Sequence, residues 1–420
     1  MLKSLGLLSI VAHAHAADTR AMIGTNIGGW MVLEPWITPS LFYRFLGKTH
    51  SEGVAIDSYT MCETLGADEG NKLMRAHWDA WVTEEHIKGL ADRDVEIVRL
   101  PIGDWILQPY GPYAGCYDGA QEKITWFLDT AAKYNLKVLL DVHGVKGSQN
   151  GFDNSGMAHR VTWTDETHFE HKGYGEWMGT WDEDKHRYTD INQDNIDFAK
   201  QTISVILDIW ATHPALYAIE PVNEPWWRSK ISVLKEFYRD VRTMMKQRAP
   251  HLVFVFHDAF QTIDALRWND LFEDDDHENV VMDTHQYMMM FPNLGTTFVY
   301  EEAYKIVVGL AETVKYDVWV GEWSLATDNC GMWLAGFNDS NGILHHQNDC
   351  AWVECPRSYL PDEFAVDFDR TADVLGPFGA GQDSVVKKGM CPIDSDHFSE
   401  RQTHRLAKSM LKTFNDSVEG

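Results

Sequence analysis

Residues 318–324 read Val318-Trp319-Val320-Gly321-Glu322-Trp323-Ser324, and residues 219–225 read Ile219-Glu220-Pro221-Val222-Asn223-Glu224-Pro225. Each opens as an apolar run, the pattern of a strand buried on both faces, and such strands belong to parallel sheets covered by helices. Each then reaches a glutamate beside a residue that shapes the backbone, Gly321 in one and Pro225 in the other. If these strands lie in one parallel barrel, their C-terminal ends share a rim and both glutamates face one pocket.

Working outward, the same signal recurs along the chain. Candidate strands cover residues 22–27, 95–101, 137–143, 216–221, 252–256, 280–285 and 318–323. Helical patterns fall at 121–134, 194–210, 231–246 and 300–314, with a last one at 400–414. This alternation predicts an α/β fold, a (β/α)8 TIM-type barrel. Such a barrel needs eight strands, so this chain is expected to lack its eighth strand. The first and last strands would then keep edges with unpaired backbone groups. The chain is accordingly expected to be poorly stable and weakly active beside an extended version. Two long connections, 144–194 and 324–397, follow strands and so belong on the C-terminal face, where active sites are built.

Composition narrows the function. The 420 residues carry 63 acidic against 36 basic side chains, a formal charge of −27. Such a surface repels phosphate backbones and anionic lipid, so neither nucleic acid nor membrane is an expected partner. Residues 1–16 combine Lys3, the apolar run Leu5 to Ala12 and Ala14-His15-Ala16, the layout of a secretory signal. Residues 17–420 then form one catalytic barrel domain with a long insertion at about 324–397. Six cysteines (Cys62, Cys116, Cys330, Cys350, Cys355, Cys391) suit disulfides in an oxidising compartment, without choosing among pairings. Sequons at Asn338 and Asn415 fit the same extracellular, cell-wall-compatible location. A monomer is expected.

Two carboxyl groups facing one pocket suit glycoside cleavage, in which one protonates the leaving oxygen and the other attacks or activates water. Asp141 and His143 could begin a metal site, but no third ligand with convincing spacing follows, so no metal and no cofactor is expected. Of the 17 tryptophans, those beside the motifs (Trp30, Trp36, Trp226, Trp227, Trp323) are the ones expected to stack on sugar rings.

Asn223-Glu224-Pro225 and Gly321-Glu322-Trp323-Ser324 resemble the acid/base and nucleophile motifs of glycoside hydrolase family 5. Residues 26–42, Val98-Arg99-Leu100-Pro101-Ile102-Gly103, Asp141-Val142-His143-Gly144 and residues 147–156 are similar to that family's fungal exo-β-1,3-glucanases. The resemblance spans about residues 22–326. It implies Glu224 as acid/base, Glu322 as nucleophile, and Arg99 and Tyr287 as groups that hold Glu322 ionised. It implies Asn223 on the sugar 2-hydroxyl, with Glu34 and His143 on the terminal sugar. Asn154 and His285 complete that substrate-binding set. Phe152 matches half of an aromatic clamp whose other half falls at Met290 or Phe291. The implied reaction is release of glucose from β-1,3-glucan by double displacement, with retention. Endo-acting, β-1,6 or β-1,4 specificity, or a secreted glucan-binding protein without turnover, are the alternatives. The chain departs from the family in its long insertion and in lacking the eighth strand, whose tryptophan floors the terminal sugar site.

Overall fold

The computed structural model describes residues 11–12, 22–46, 48–158, 161–166, 169–171, 174–273, 276–287, 294–326, 357–367 and 398–416. All seven expected strands are present: β1 (Met22–Asn26), β2 (Ile97–Gly103), β3 (Lys137–Gly144), β4 (Leu216–Glu220), β5 (Val253–His257), β6 (Val280–Gln286) and β7 (Asp317–Trp323). They run parallel, in chain order, around a barrel. No further parallel strand stands between β7 and β1 among the described residues. The two edges are nevertheless not left open. Val11–Ala12 pairs antiparallel with both, Val11 opposite Val320 and Ile23, and Ala12 opposite Met22. The edge partner expected to be missing is supplied in part by the stretch read as a secretory signal.

Helices α1 (Ser58–Trp81), α2 (Glu84–Ala91), α3 (Ala120–Lys133), α4 (Gln193–Trp210), α5 (Ile231–Arg248), α6 (Thr297–Ala311) and α7 (Glu400–Asp416) lie outside the strands. α1 and α2 were not foreseen. Asp57 caps α1 by accepting the Thr60 N–H at 2.7 Å, and helical geometry breaks at Gly66 (φ 73°). That break splits the apolar stripe of Met61, Cys62, Leu73, Met74 and Trp78, which hides its period from a sequence reading. No described helix is long and apolar enough to cross a membrane.

Cys62 and Cys116 form a disulfide that ties α1 to the turn at Tyr113–Cys116. The other four cysteines, Trp333, Met290, Phe291 and Asn338 lie outside the described residues. Of the 324–397 connection, residues 357–367 pack near α1: Tyr359 Oη lies 2.8 Å from His77 Nδ1, and Arg44 donates to the Phe364 carbonyl at 3.0 Å. The 144–194 connection carries two hairpins, Val161–Trp163 with Phe169–His171 and Gly179–Asp182 with Arg187–Ile191.

Inside the barrel the strands build two layers. Met22, Ile97, Leu139, Ala218, Val253, Val255, Val281 and Trp319 form one apolar cluster. Successive inward residues of a strand are two apart, so the next inward position after Ile97 is Arg99. By the same step Leu139 leads to Asp141, Ala218 to Glu220, Val255 to His257 and Val281 to Asp283. All of these polar groups are fully buried. The apolar floor thus passes within one inward step into a polar layer, toward the C-terminal rim.

Candidate active site

Arg99 is the centre of that layer. Its Nη1 donates to Glu322 Oε1 at 2.8 Å and to Asn26 Oδ1 at 3.3 Å. Nε and Nη2 donate to Glu220 Oε2 at 3.2 and 2.9 Å, and Nη2 also reaches Asn223 Oδ1 at 2.7 Å. Asp141 Oδ2 lies 3.1 Å away and accepts from His143 Nδ1 at 2.5 Å. One guanidinium therefore serves three carboxylates from three other strands. A fourth, Asp283, lies near enough to act on it electrostatically.

The charge is not shared evenly. Burial pushes Glu220 well above the usual carboxylate range, and Asp283 and Asp141 add to the push against the opposing pull of Arg99. Burial also pushes Glu322 up, but the charges of His285, Arg99 and His143, with the Tyr287 hydrogen bond, outweigh it and bring Glu322 down to about 2. Tyr287 Oη donates to Glu322 Oε2 at 2.7 Å. Of Glu220 and Glu322, it is Glu322 that is held toward the ionised form. The two residues named for holding it, Arg99 and Tyr287, both touch it.

Glu224 enters from the turn after β4, with φ 42°. A non-glycine residue in this left-handed region stores about 1–3 kcal/mol, a cost seen at functional sites. Asn150 braces the turn by donating to the Glu224 carbonyl at 3.2 Å. On the side chain, Asn154 Nδ2 donates to Oε2 at 3.0 Å and His285 Nδ1 to Oε1 at 2.7 Å. The same His285 nitrogen lies 3.5 Å from Glu322 Oε2. These two carboxylate oxygens are therefore no farther apart than the sum of 2.7 and 3.5 Å. The two glutamates share one site.

Around them, Asn223 Nδ2 lies 3.4 Å from His143 Nε2. Glu34 accepts the Gly29 N–H at 2.8 Å; burial raises its carboxyl to about 7 against the pull of His143. Phe152 is exposed; its clamp partner falls outside the described residues. The tryptophans need correction. Trp30 is core and donates to the Trp78 carbonyl, Trp226 is buried, and Trp323 packs outward with Tyr304 and Phe414. Of the five, Trp227 is exposed, 51%, and Trp36 is half-buried; the other three are buried.

Sequence reasoning missed Asn26, Glu220, His257 and Asp283. The signal was the alternation itself, a polar residue two positions beyond a buried apolar one. His257 Nδ1 accepts the Ala259 N–H at 2.9 Å; burial, with the charges of His285 and Arg99, drives its pKa well down, so the ring is neutral. Donor atoms of Glu224, His257 and His285, and of Glu220, Asp283 and His285, lie within 4.8 Å of one another. His285 belongs to both groups. Burial lowers its pKa, but Glu322, Asp283 and Glu224 more than offset that and hold it well above its usual value.

No family model matches the chain. A glucan 1,3-beta-glucosidase of Blumeria graminis is 31% identical over 347 residues, 80% of this chain and 72% of the relative. One from Yarrowia lipolytica is 33% identical over 319 residues, 74% and 69% of the two chains. The rutinosidase of Aspergillus niger aligns at a TM-score of 0.55 with 20% identity, over 73% of this chain and 79% of that one, and shows the fold alone. With 31 and 33% identity sustained over more than two thirds of both fungal relatives, the chain belongs to the glucan 1,3-beta-glucosidase family, glycosidases on the barrel of glycoside hydrolase family 5.

Proposed function

We propose that this chain hydrolyses β-1,3-glucan from a chain end by double displacement, with retention of configuration. The observation that carries the reading is the shared His285 nitrogen, which caps the separation of a Glu224 and a Glu322 oxygen. That cap falls short of the ~6.5 Å at which inverting pairs begin and accommodates the ~5 Å of retaining pairs. The names of the relatives support the linkage and the glucosidase action.

The reading gives each glutamate one role. Glu224 gives its proton to the glycosidic oxygen as the C1–O bond breaks, while an oxygen of ionised Glu322 bonds to C1. Water then loses a proton to Glu224 as it attacks C1, and the ester to Glu322 breaks. Arg99 and Tyr287 keep Glu322 charged and aimed. Asn223, Glu34, His143, Asn154, His285 and Phe152 would contact or orient the sugar, with Asn223 on the 2-hydroxyl. The chain acts as a secreted monomer, a reading that the Cys62–Cys116 disulfide supports.

Laminarin digestion followed by proton NMR tests this. β-Glucose released first is expected. α-Glucose first would refute retention, oligosaccharides would mean endo action, and no products would mean a binding protein. Glu322→Gln should abolish turnover and keep binding.

A further inference from the structure

β7 does not keep its alternation. Val320 faces outward, packed with Tyr300, Tyr304 and Val308, and Trp323 returns to that same cluster. Strict alternation from Val320 would send Glu322 outward too, toward the helices. The pairing with β6 shows why it points inward: Thr284 lies opposite Val320, but His285 lies opposite Glu322. Gly321 is one extra residue, a bulge, and a bulge re-aims the side chain beyond it.

A buried bulge frees backbone groups that need partners. The Gly321 N–H donates to Asp283 Oδ1 at 2.6 Å, and the Gly321 carbonyl accepts from Asn26 Nδ2 at 2.8 Å. Asp283 Oδ2 lies 3.5 Å from His285 Nε2, an ion-pair contact between two fully buried groups. The other nitrogen of that ring is the one held to Glu224. A Cβ on residue 321 would sit 2.0 Å from Asp283 Oδ2, so glycine is the residue that leaves the carboxylate room.

We propose that Asp283 is a positioning residue for both glutamates. One oxygen holds the bulge that turns Glu322 into the pocket, and the other holds His285 against Glu224. Asn26 is its counterpart on the carbonyl side of the bulge. Neither touches substrate. The inference rests on the roles proposed above for Glu224 and Glu322.

Two variants separate the functions. Asp283→Ala removes both contacts and is expected to lower kcat ~100-fold with KM nearly unchanged, the cost of a misplaced reacting group. Asp283→Asn keeps an oxygen for Gly321 and drops the charge, so it should recover ~10-fold of that loss. His285 is faced by Glu224, Glu322 and Asp283, with Glu220 and Asp258 farther off and the neutral His257 ring against it. Removing one anion from this set should make the ring lose its proton at lower pH. NMR titration of the His285 imidazole in wild type and Asp283→Asn reads that without any substrate. Asn26→Ala, which alters no acidic group, should lower kcat ~10-fold and leave the His285 titration in place. Wild-type kcat in Asp283→Ala, or unchanged His285 titration in Asp283→Asn, overturns the proposal. A wild type inactive on β-glucan would sink the functional reading, and the titration would still decide this one.

Discussion

The floor of the barrel and the layer above it are made by the same strands, one inward step apart, yet they do opposite things. On the floor, Ile97, Leu139, Ala218, Val281 and Trp319 meet one another without a charge among them. Burying the larger of these side chains stabilises by ~1.5–3 kcal/mol each. One step on, Arg99, Asp141, Glu220 and Asp283 are as fully buried, where desolvation costs several kcal/mol per ion unless partners offset it. The comparison teaches that the floor holds the barrel together so that the upper layer can be kept charged and aimed.

The comparison breaks most completely at Arg99. Arg99→Met leaves Asp141, Glu220 and Glu322 without their shared cation. A loss of ~3–5 kcal/mol in stability is expected, together with a fall of ~10³-fold in kcat. Thermal melts and glucan assays that match wild type would mean that the layer is not organised by this residue.

Trp319→Ala strikes the floor instead. Trp319 is 1% exposed, so a loss of ~3–5 kcal/mol is expected, with the pH profile of kcat unmoved. A shifted profile would show that the two layers are not separable.

Glu34 sharpens the contrast through pH. Its folded-state pKa is raised from 4.5 to about 7. Its contribution to stability is therefore fully present below 4.5 and is lost as pH rises through about 7. Glu34→Gln, neutral throughout, should melt above wild type at about pH 8 by ~3 kcal/mol and match it at about pH 4. Glu322 runs the other way. Its pKa is depressed from 4.5 to about 2, so its contribution stands above 4.5 and is lost as pH falls through about 2. Melts of Glu34→Gln that track wild type at every pH would contradict the first assignment.

The smallest effect belongs to Tyr287→Phe. Losing one hydrogen bond to a carboxylate at 2.7 Å should cost ~1.5 kcal/mol, roughly tenfold in kcat. The acid limb of the profile should move up, because Glu322 loses a group that holds it low. A limb that stays put would remove Tyr287 from the site.

The site was legible where motif and strand coincide. Glu224 and Glu322 each end a recognisable apolar run, and Arg99, His143 and His285 sit on strands whose type was plain from their composition. Glu220, Asp283 and Asn26 were not found, because each reads as one more polar residue until its strand is placed beside the others. The open edges foretold from counting strands were also not observed: Val11–Ala12 meets both, and no local pattern announces a two-residue pairing with residues far along the chain. The helix over Ser58–Trp81 escaped for a nearer reason, its break at Gly66.

What the sequence determined by itself is the order of the seven parallel strands and of the five helices from α3 to α7, since apolar runs and their periods are local properties of side chains. It also named the two carboxylates. What only the tertiary structure decided is how charge is distributed among buried acids. That depends on distances between strands far apart in sequence, on a bulge at Gly321 that reverses the facing of Glu322, and on one guanidinium whose neighbours differ in how much of it they reach. Coulomb energies and desolvation act through space, so no reading along the chain could have told that Glu220 is pushed up while Glu322 is held down.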